Sequence, residues 1–185
     1  MKTLEQIINS HKEIETLTRD NKYLGVLNYI YEHKPKLIIE YGGGKSTYCL
    51  KLLLDDLDYG GKVVGFEDNK IWYDDHVRKG FNEDNIIKLV DTEYDEYFTE
   101  RLTWRGRRYL HSYEEYKDVD LVILDGPDFR DDPYDPHTTF NLMDMVELFE
   151  RDIPFFIDGR TGTTGFYCNE LKYPGYIQDI KNRKE

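Results

Sequence analysis

The apolar run Leu37-Ile38-Ile39 closes on Glu40 and leads, one residue later, into three consecutive glycines, Gly42 to Gly44. No other feature constrains the fold as tightly. A short apolar run between Pro35 and Gly42 reads as a strand buried on both faces, the usual state of a strand in a parallel sheet. Glycines placed directly after it let the backbone turn tightly and approach a ligand closely. A helical pattern then begins near Ser46 and continues through Leu50, Leu53 and Leu54, so the turn ends at a helix N-terminus with free N–H groups.

The same alternation recurs downstream. Lys62 to Glu67 reads as a second strand and Lys70 to Lys79 as a helix. Ile86 to Val90 reads as a third strand, Asp120 to Asp125 as a fourth and Ile153 to Asp158 as a fifth, with a helix over Phe140 to Glu150 between the last two. Strands alternating with helices predict a doubly wound, mainly parallel α/β sheet with helices on both faces, a Rossmann-like domain. Residues 1–185 form one domain on this reading. Residues 1–35 make an N-terminal helical cap without chemistry of its own, 36–160 the core, and 161–185 a short tail of weak pattern. The polar, tyrosine-rich stretch from Asp91 to Lys117 is expected to hold a helix near Tyr94 to Leu102 and a short strand at Arg108-Tyr109-Leu110.

In such sheets the ligand binds beyond the carboxyl ends of the strands, where strand order reverses. Glu40, Glu67, Asp125 and Asp158 all fall at that edge. Gly44-Lys45-Ser46 has the look of the end of a phosphate-binding loop, but that motif needs a glycine where Ile39 stands. A dinucleotide fingerprint would read Gly42, Gly44 and a third small residue at position 47, which is Thr47. Glu67, about 20 residues past the loop, suits the vicinal hydroxyls of a ribose, with Asp68 as its alternate.

The net charge of −12 opposes unaided binding to a nucleic-acid backbone, which needs clustered cations. Arg101, Arg105, Arg107 and Arg108 read as a solvated loop face. No run is long and apolar enough to span a bilayer, and the polar N-terminus has no signal-peptide core, so an acidic, cytoplasmic protein is expected. Cys49 and Cys168 read as reduced packing residues.

Glu40-x-Gly42-x-Gly44-x-Ser46-Thr47 resembles the first motif of the class I S-adenosylmethionine-dependent methyltransferases, in the branch whose loop ends in Ser-Thr. Glu67 followed by Trp72-Tyr73 is similar to that branch's segment after the second strand. Leu121 to Pro127 resembles its fourth strand, and Ile157-Asp158-Gly159-Arg160 its fifth. The resemblance implies that Glu40, Gly42, Gly43, Gly44, Ser46 and Thr47 shape the pocket for the methionine part of S-adenosylmethionine. It implies ribose contact from Glu67 or Asp68, adenine contact from Asp91 or Thr92, and Asp125 beside the methyl group. Lys45 and Gly43 depart from the pattern, and little chain remains after Asp158 for the family's terminal strand pair.

Asp125 and His137 are the candidate bases, His137 because imidazole titrates near neutrality, although a lone loop histidine is more often solvated. Asp125 and Asp158, ending adjacent strands, are candidate ligands for Mg²⁺ or Ca²⁺. Gly159 stands where a second acid beside Asp158 would be, so no metal is expected. Arg130 and Arg160 suit either an acidic substrate or surface ion pairs, and Trp72 either core packing or an adenine contact. The expected function is methyl transfer from S-adenosylmethionine to a small molecule. Its alternatives are a non-catalytic module on the same fold and a nicotinamide-dependent enzyme.

Overall fold

A computed structural model describes residues 2–19, 23–100, 102–127 and 138–177. Three helices come first: α1 (Leu4–Ser10), α2 (Lys12–Leu17) and α3 (Leu24–His33). Thr3 and Gln6 close a capping box on α1. Helix α3 stops at Lys34, which is left-handed (φ 51°), one residue before Pro35.

The alternation of elements then follows the order expected. Strand β1 (Leu37–Tyr41) leads through the glycines to α4 (Lys45–Leu57), then β2 (Lys62–Glu67), α5 (Lys70–Arg78) and β3 (Ile87–Leu89). Strands β4 (Thr92–Phe98) and β5 (Thr103–Tyr109) form a hairpin. Next come β6 (Leu121–Leu124), the two-residue β7 (Thr138–Thr139), α6 (Asn141–Phe149) and β8 (Phe155–Ile157). A short α7 (Thr161–Thr164) runs on into π-helix over Gly165–Glu170, and β9 (Tyr176–Ile177) closes the described chain.

Six strands form one sheet in the order β3-β2-β1-β6-β8-β9, with every pairing parallel. This is a Rossmann-like α/β fold, and its order reverses between β1 and β6. At the far edge stands β9, two residues long and parallel to β8.

Period-two alternation sorts the side chains to two cores. Ile38, Val63, Leu121, Ile123 and Phe156 point to the face covered by α1 to α4, where Leu50, Leu53, Leu54 and Leu57 meet them. Ile39, Tyr41, Phe66, Val122, Leu124, Phe155 and Ile157 point to the other face, against α6 and the π-helical turn. Glu40 shares its side of β1 with Ile38. A fully buried carboxyl is thereby driven under the start of α4.

Two regions differ from the sequence reading. The segment near Tyr94 to Leu102 is strand, not helix. Tyr94 and Tyr97 mimic helical spacing, but the partner strand decides: Glu93 lies opposite Arg108, Glu96 opposite Arg105 and Tyr97 opposite Trp104. Hence Arg105, Arg107 and Arg108 sit on a strand rather than a loop, and Arg108 bridges Asp95 and Asp144. Arg101 lies outside the described residues. Residues 160–177 of the tail are also regular structure, since Phe166 and Tyr167 are fully buried against Phe140 and Phe155. Cys49 is buried and Cys168 half-buried, both free thiols.

Candidate functional site

A cleft of about 210 Å³ opens at the carboxyl edge of the sheet, where the strand order reverses. Its walls are Gly42 and Gly43 after β1, Glu67 at the end of β2, Trp72 and His76 on α5, Asp125 and Gly126 after β6, and Arg160 after β8. The ends of four strands, together with α5, therefore meet at the switch point.

The glycine loop is folded against the protein. Gly42 and Gly43 both donate their N–H groups to the Phe66 carbonyl, each at 2.8 Å, and the Gly44 N–H donates to Thr47 Oγ1 at 2.9 Å. All three amides are therefore turned away from a ligand. Gly42 takes φ +90°, and a Cβ there would stand 2.4 Å from the Gly126 nitrogen. Gly126 in turn lies under the Tyr109 hydroxyl, which would meet a Cβ at that position.

Below the loop, Glu40 accepts from the hydroxyls of Thr47 and Ser46. Burial raises its carboxyl to a pKa of about 7, against the pull of those hydrogen bonds. The Tyr23 hydroxyl lies 3.4 Å from Glu40 Oε1 and 3.4 Å from Asp125 Oδ2. Asp125 is pushed well above the usual carboxylate range by burial first, then by Asp158 and Glu40. Arg160 grips the turn after β6, donating to the Asp125 carbonyl and, at 2.7 Å, to the Pro127 carbonyl. Its role in the fold is to brace that turn.

Glu67 lines the cleft, and its Oε1 accepts from the Asn69 N–H at 2.7 Å. Asp68 faces the hairpin instead and accepts from Thr92 Oγ1 at 3.3 Å and the Tyr109 hydroxyl at 3.4 Å. Burial raises its pKa. Arg107 donates to Thr92 at 3.2 Å. Asp91 is exposed, and its carbonyl accepts from Leu110. Neither Asp91 nor Thr92 is among the cleft residues. Asp158 belongs to the acid group through its charge on Asp125 and Glu40. Among the described residues no group of three or more His, Cys, Asp or Glu side chains is arranged to hold a metal ion. His137 and Arg130 lie outside the described residues.

Three cleft-side residues escaped the sequence reading. His76 follows Trp72 by four positions and so shares its face of α5. Its Nε2 stands 2.7 Å from where a Gly44 Cβ would be, and burial lowers its pKa. That spacing was legible once Trp72 was singled out. Tyr109 ends β5, within the short strand expected at Arg108-Tyr109-Leu110, but its hydroxyl reaches the turn after β6 only through the fold. Tyr23 comes from the N-terminal cap, in a left-handed conformation before α3 (φ 59°). No local pattern announces that it reaches the site, and the cap is not without a part in it.

No family model matches the chain, and no curated protein matches it at a significant level. No helix among the described residues is long and apolar enough to cross a membrane.

Proposed function

We propose that this chain binds S-adenosylmethionine in the switch-point cleft and transfers its methyl group to a small molecule. The observation that carries this reading is the polarity of the cleft. Glu67 and Asp125 line it, Glu40 and Asp158 lie close behind, and the glycine amides are spent on Phe66 and Thr47. A pyrophosphate needs free N–H groups at such a loop. An acid-walled cleft suits ammonium and sulfonium groups instead. This favours S-adenosylmethionine over a nicotinamide dinucleotide.

Bound there, S-adenosylmethionine supplies an electrophilic methyl on a sulfonium sulfur. The chain's own part is position and charge. Glu67, which lines the cleft, would accept from the ribose hydroxyls. Asp125 stands beside the reacting end, where it can take the proton that an attacking hydroxyl or amine must lose. Asp125 and Asp158 are the candidate ligands for a divalent ion, and no group of three or more His, Cys, Asp or Glu among the described residues could hold one.

A non-catalytic module is the second reading, favoured by one observation. The cleft's 210 Å³ falls below the roughly 300–1,000 Å³ usual for small-molecule pockets. Calorimetric titration with S-adenosylhomocysteine, with ATP and NADH as controls, separates these readings from the nicotinamide alternative. Saturable binding of the homocysteine compound alone is expected. Binding of NADH alone would replace the cofactor assignment, and methyl transfer to any acceptor in a substrate panel would remove the non-catalytic reading.

A further inference from the structure

The Tyr23 hydroxyl has one proton to donate and faces two carboxyl oxygens at the same distance. Glu40 Oε1 and Asp125 Oδ2 each lie 3.4 Å away. A single O–H can serve only one of them at a time. With both acids ionised, one oxygen faces the phenol oxygen without a hydrogen between them. With one acid protonated, its own O–H donates to the Tyr23 oxygen while Tyr23 donates to the other acid, and the chain of bonds is complete.

We propose that Glu40, Tyr23 and Asp125 hold one shared extra proton in the free protein, and that a cationic ligand group entering the cleft beside Asp125 displaces it to solvent. The inference rests on the cofactor reading above and assigns its coupling to pH. The surroundings favour it. Glu40 is fully buried and Asp125 is its link to the cleft wall. Among the described residues, the groups facing the pair are Ser46 and Thr47 from α4, Tyr23 ahead of α3, Asp158 after β8 and Arg160 beyond it. Arg160 Nε lies 3.8 Å from Asp125 Oδ1. Among the described residues, Arg160 is the cation bearing on Asp125, against the charges of Asp158 and Glu40. Burial and mutual repulsion raise the titration of both Glu40 and Asp125, as a retained proton requires. Exchange balances charge: one positive group arrives and one proton leaves.

The test compares two adenosine thioethers by calorimetry from pH 6 to 8.5, in phosphate and in Tris. S-Adenosylhomocysteine carries an ammonium group, and 5′-methylthioadenosine carries none. The affinity of the first should rise with pH, approaching about tenfold per unit where one whole proton is released. Its heat should differ between the two buffers, while the second compound shows neither effect. Binding of both with no pH or buffer dependence would overturn the proton exchange and leave the cofactor reading standing. Binding of neither, in folded protein, would overturn both. Tyr23→Phe removes the shared donor, whose hydrogen bonds favour the ionised acids, so its pH profile should move upward. Asp125→Asn, checked by thermal melting, should abolish the buffer dependence. An unchanged profile in both variants places the released proton elsewhere and overturns the assignment.

Discussion

Gly42 and Gly126 pack backbone against backbone, so closely that a side chain on Gly42 would stand 2.4 Å from the Gly126 nitrogen. The contact joins the ends of β1 and β6 at the point where the sheet reverses order. The glycine required by sequence patterns of ligand loops is thus required here by the protein's own packing.

Gly42→Ala should therefore destabilise the fold before it reports on binding. Its φ of +90° is one that only glycine adopts freely, and strain of this kind costs about 1–3 kcal/mol before the backbone contact is counted. The measurement is the urea midpoint of the variant against the parent. An unchanged midpoint would mean the two turns can separate without cost, and the close approach would then have no structural weight.

Glu67→Gln is the cleaner probe of the ligand. The amide can still accept from the Asn69 N–H and so keeps the entry to α5. What it loses is the charge offered to a ribose diol. S-Adenosylhomocysteine should bind about 1–3 kcal/mol more weakly, the scale of hydrogen bonds to a charged group, with little change in melting temperature. Equal affinity for the two proteins would move the ribose contact away from Glu67.

Asn141 fastens the hairpin to α6. Its amide accepts from the Tyr109 N–H at 2.8 Å and donates to the Tyr109 carbonyl at 2.9 Å, both fully buried. Asn141→Leu strips partners from two backbone groups, at roughly 1–3 kcal/mol each. Hydrogen exchange at Tyr109 should quicken in this variant more than exchange in β1. Uniform quickening across the sheet would show that the hairpin is no separate unit of stability.

What the sequence shows of this fold follows from the range of the interactions involved. Strands β1, β6 and β8 are legible because each is a short apolar run buried on both faces, as in Leu121 to Leu124, whereas β9, two half-buried residues in the weakly patterned tail, is not. Nor is the hairpin. Its strands are polar, and Glu93, Glu96 and Tyr97 take extended form because of Arg108, Arg105 and Trp104 on the partner strand. At the site, Glu40, Gly42, Glu67 and Asp125 could be placed because each closes or follows a strand at one edge. The role of Tyr23 could not, since its hydroxyl meets Asp125 across 102 residues. Nor could the inward turn of the glycine amides, which depends on where the Phe66 carbonyl of the neighbouring strand happens to point.

Glu40 makes stability itself depend on pH. Its carboxyl titrates at about 7 in the fold against an ordinary 4.5, so between those values the folded protein holds a proton that the unfolded chain has lost. Stability from this group is present at low pH and is lost as pH rises through that window. The full effect is on the order of 3 kcal/mol. Urea midpoints should fall from pH 5 to pH 8 in the parent and fall less steeply in Glu40→Gln, which keeps the side chain's shape without its charge. At pH 8 the variant should be the more stable of the two, since it buries no carboxylate. A parent midpoint that is flat over this range, or that rises, would mean that Glu40 stays ionised beneath the loop, stabilised by the hydroxyls of Thr47, Ser46 and Tyr23.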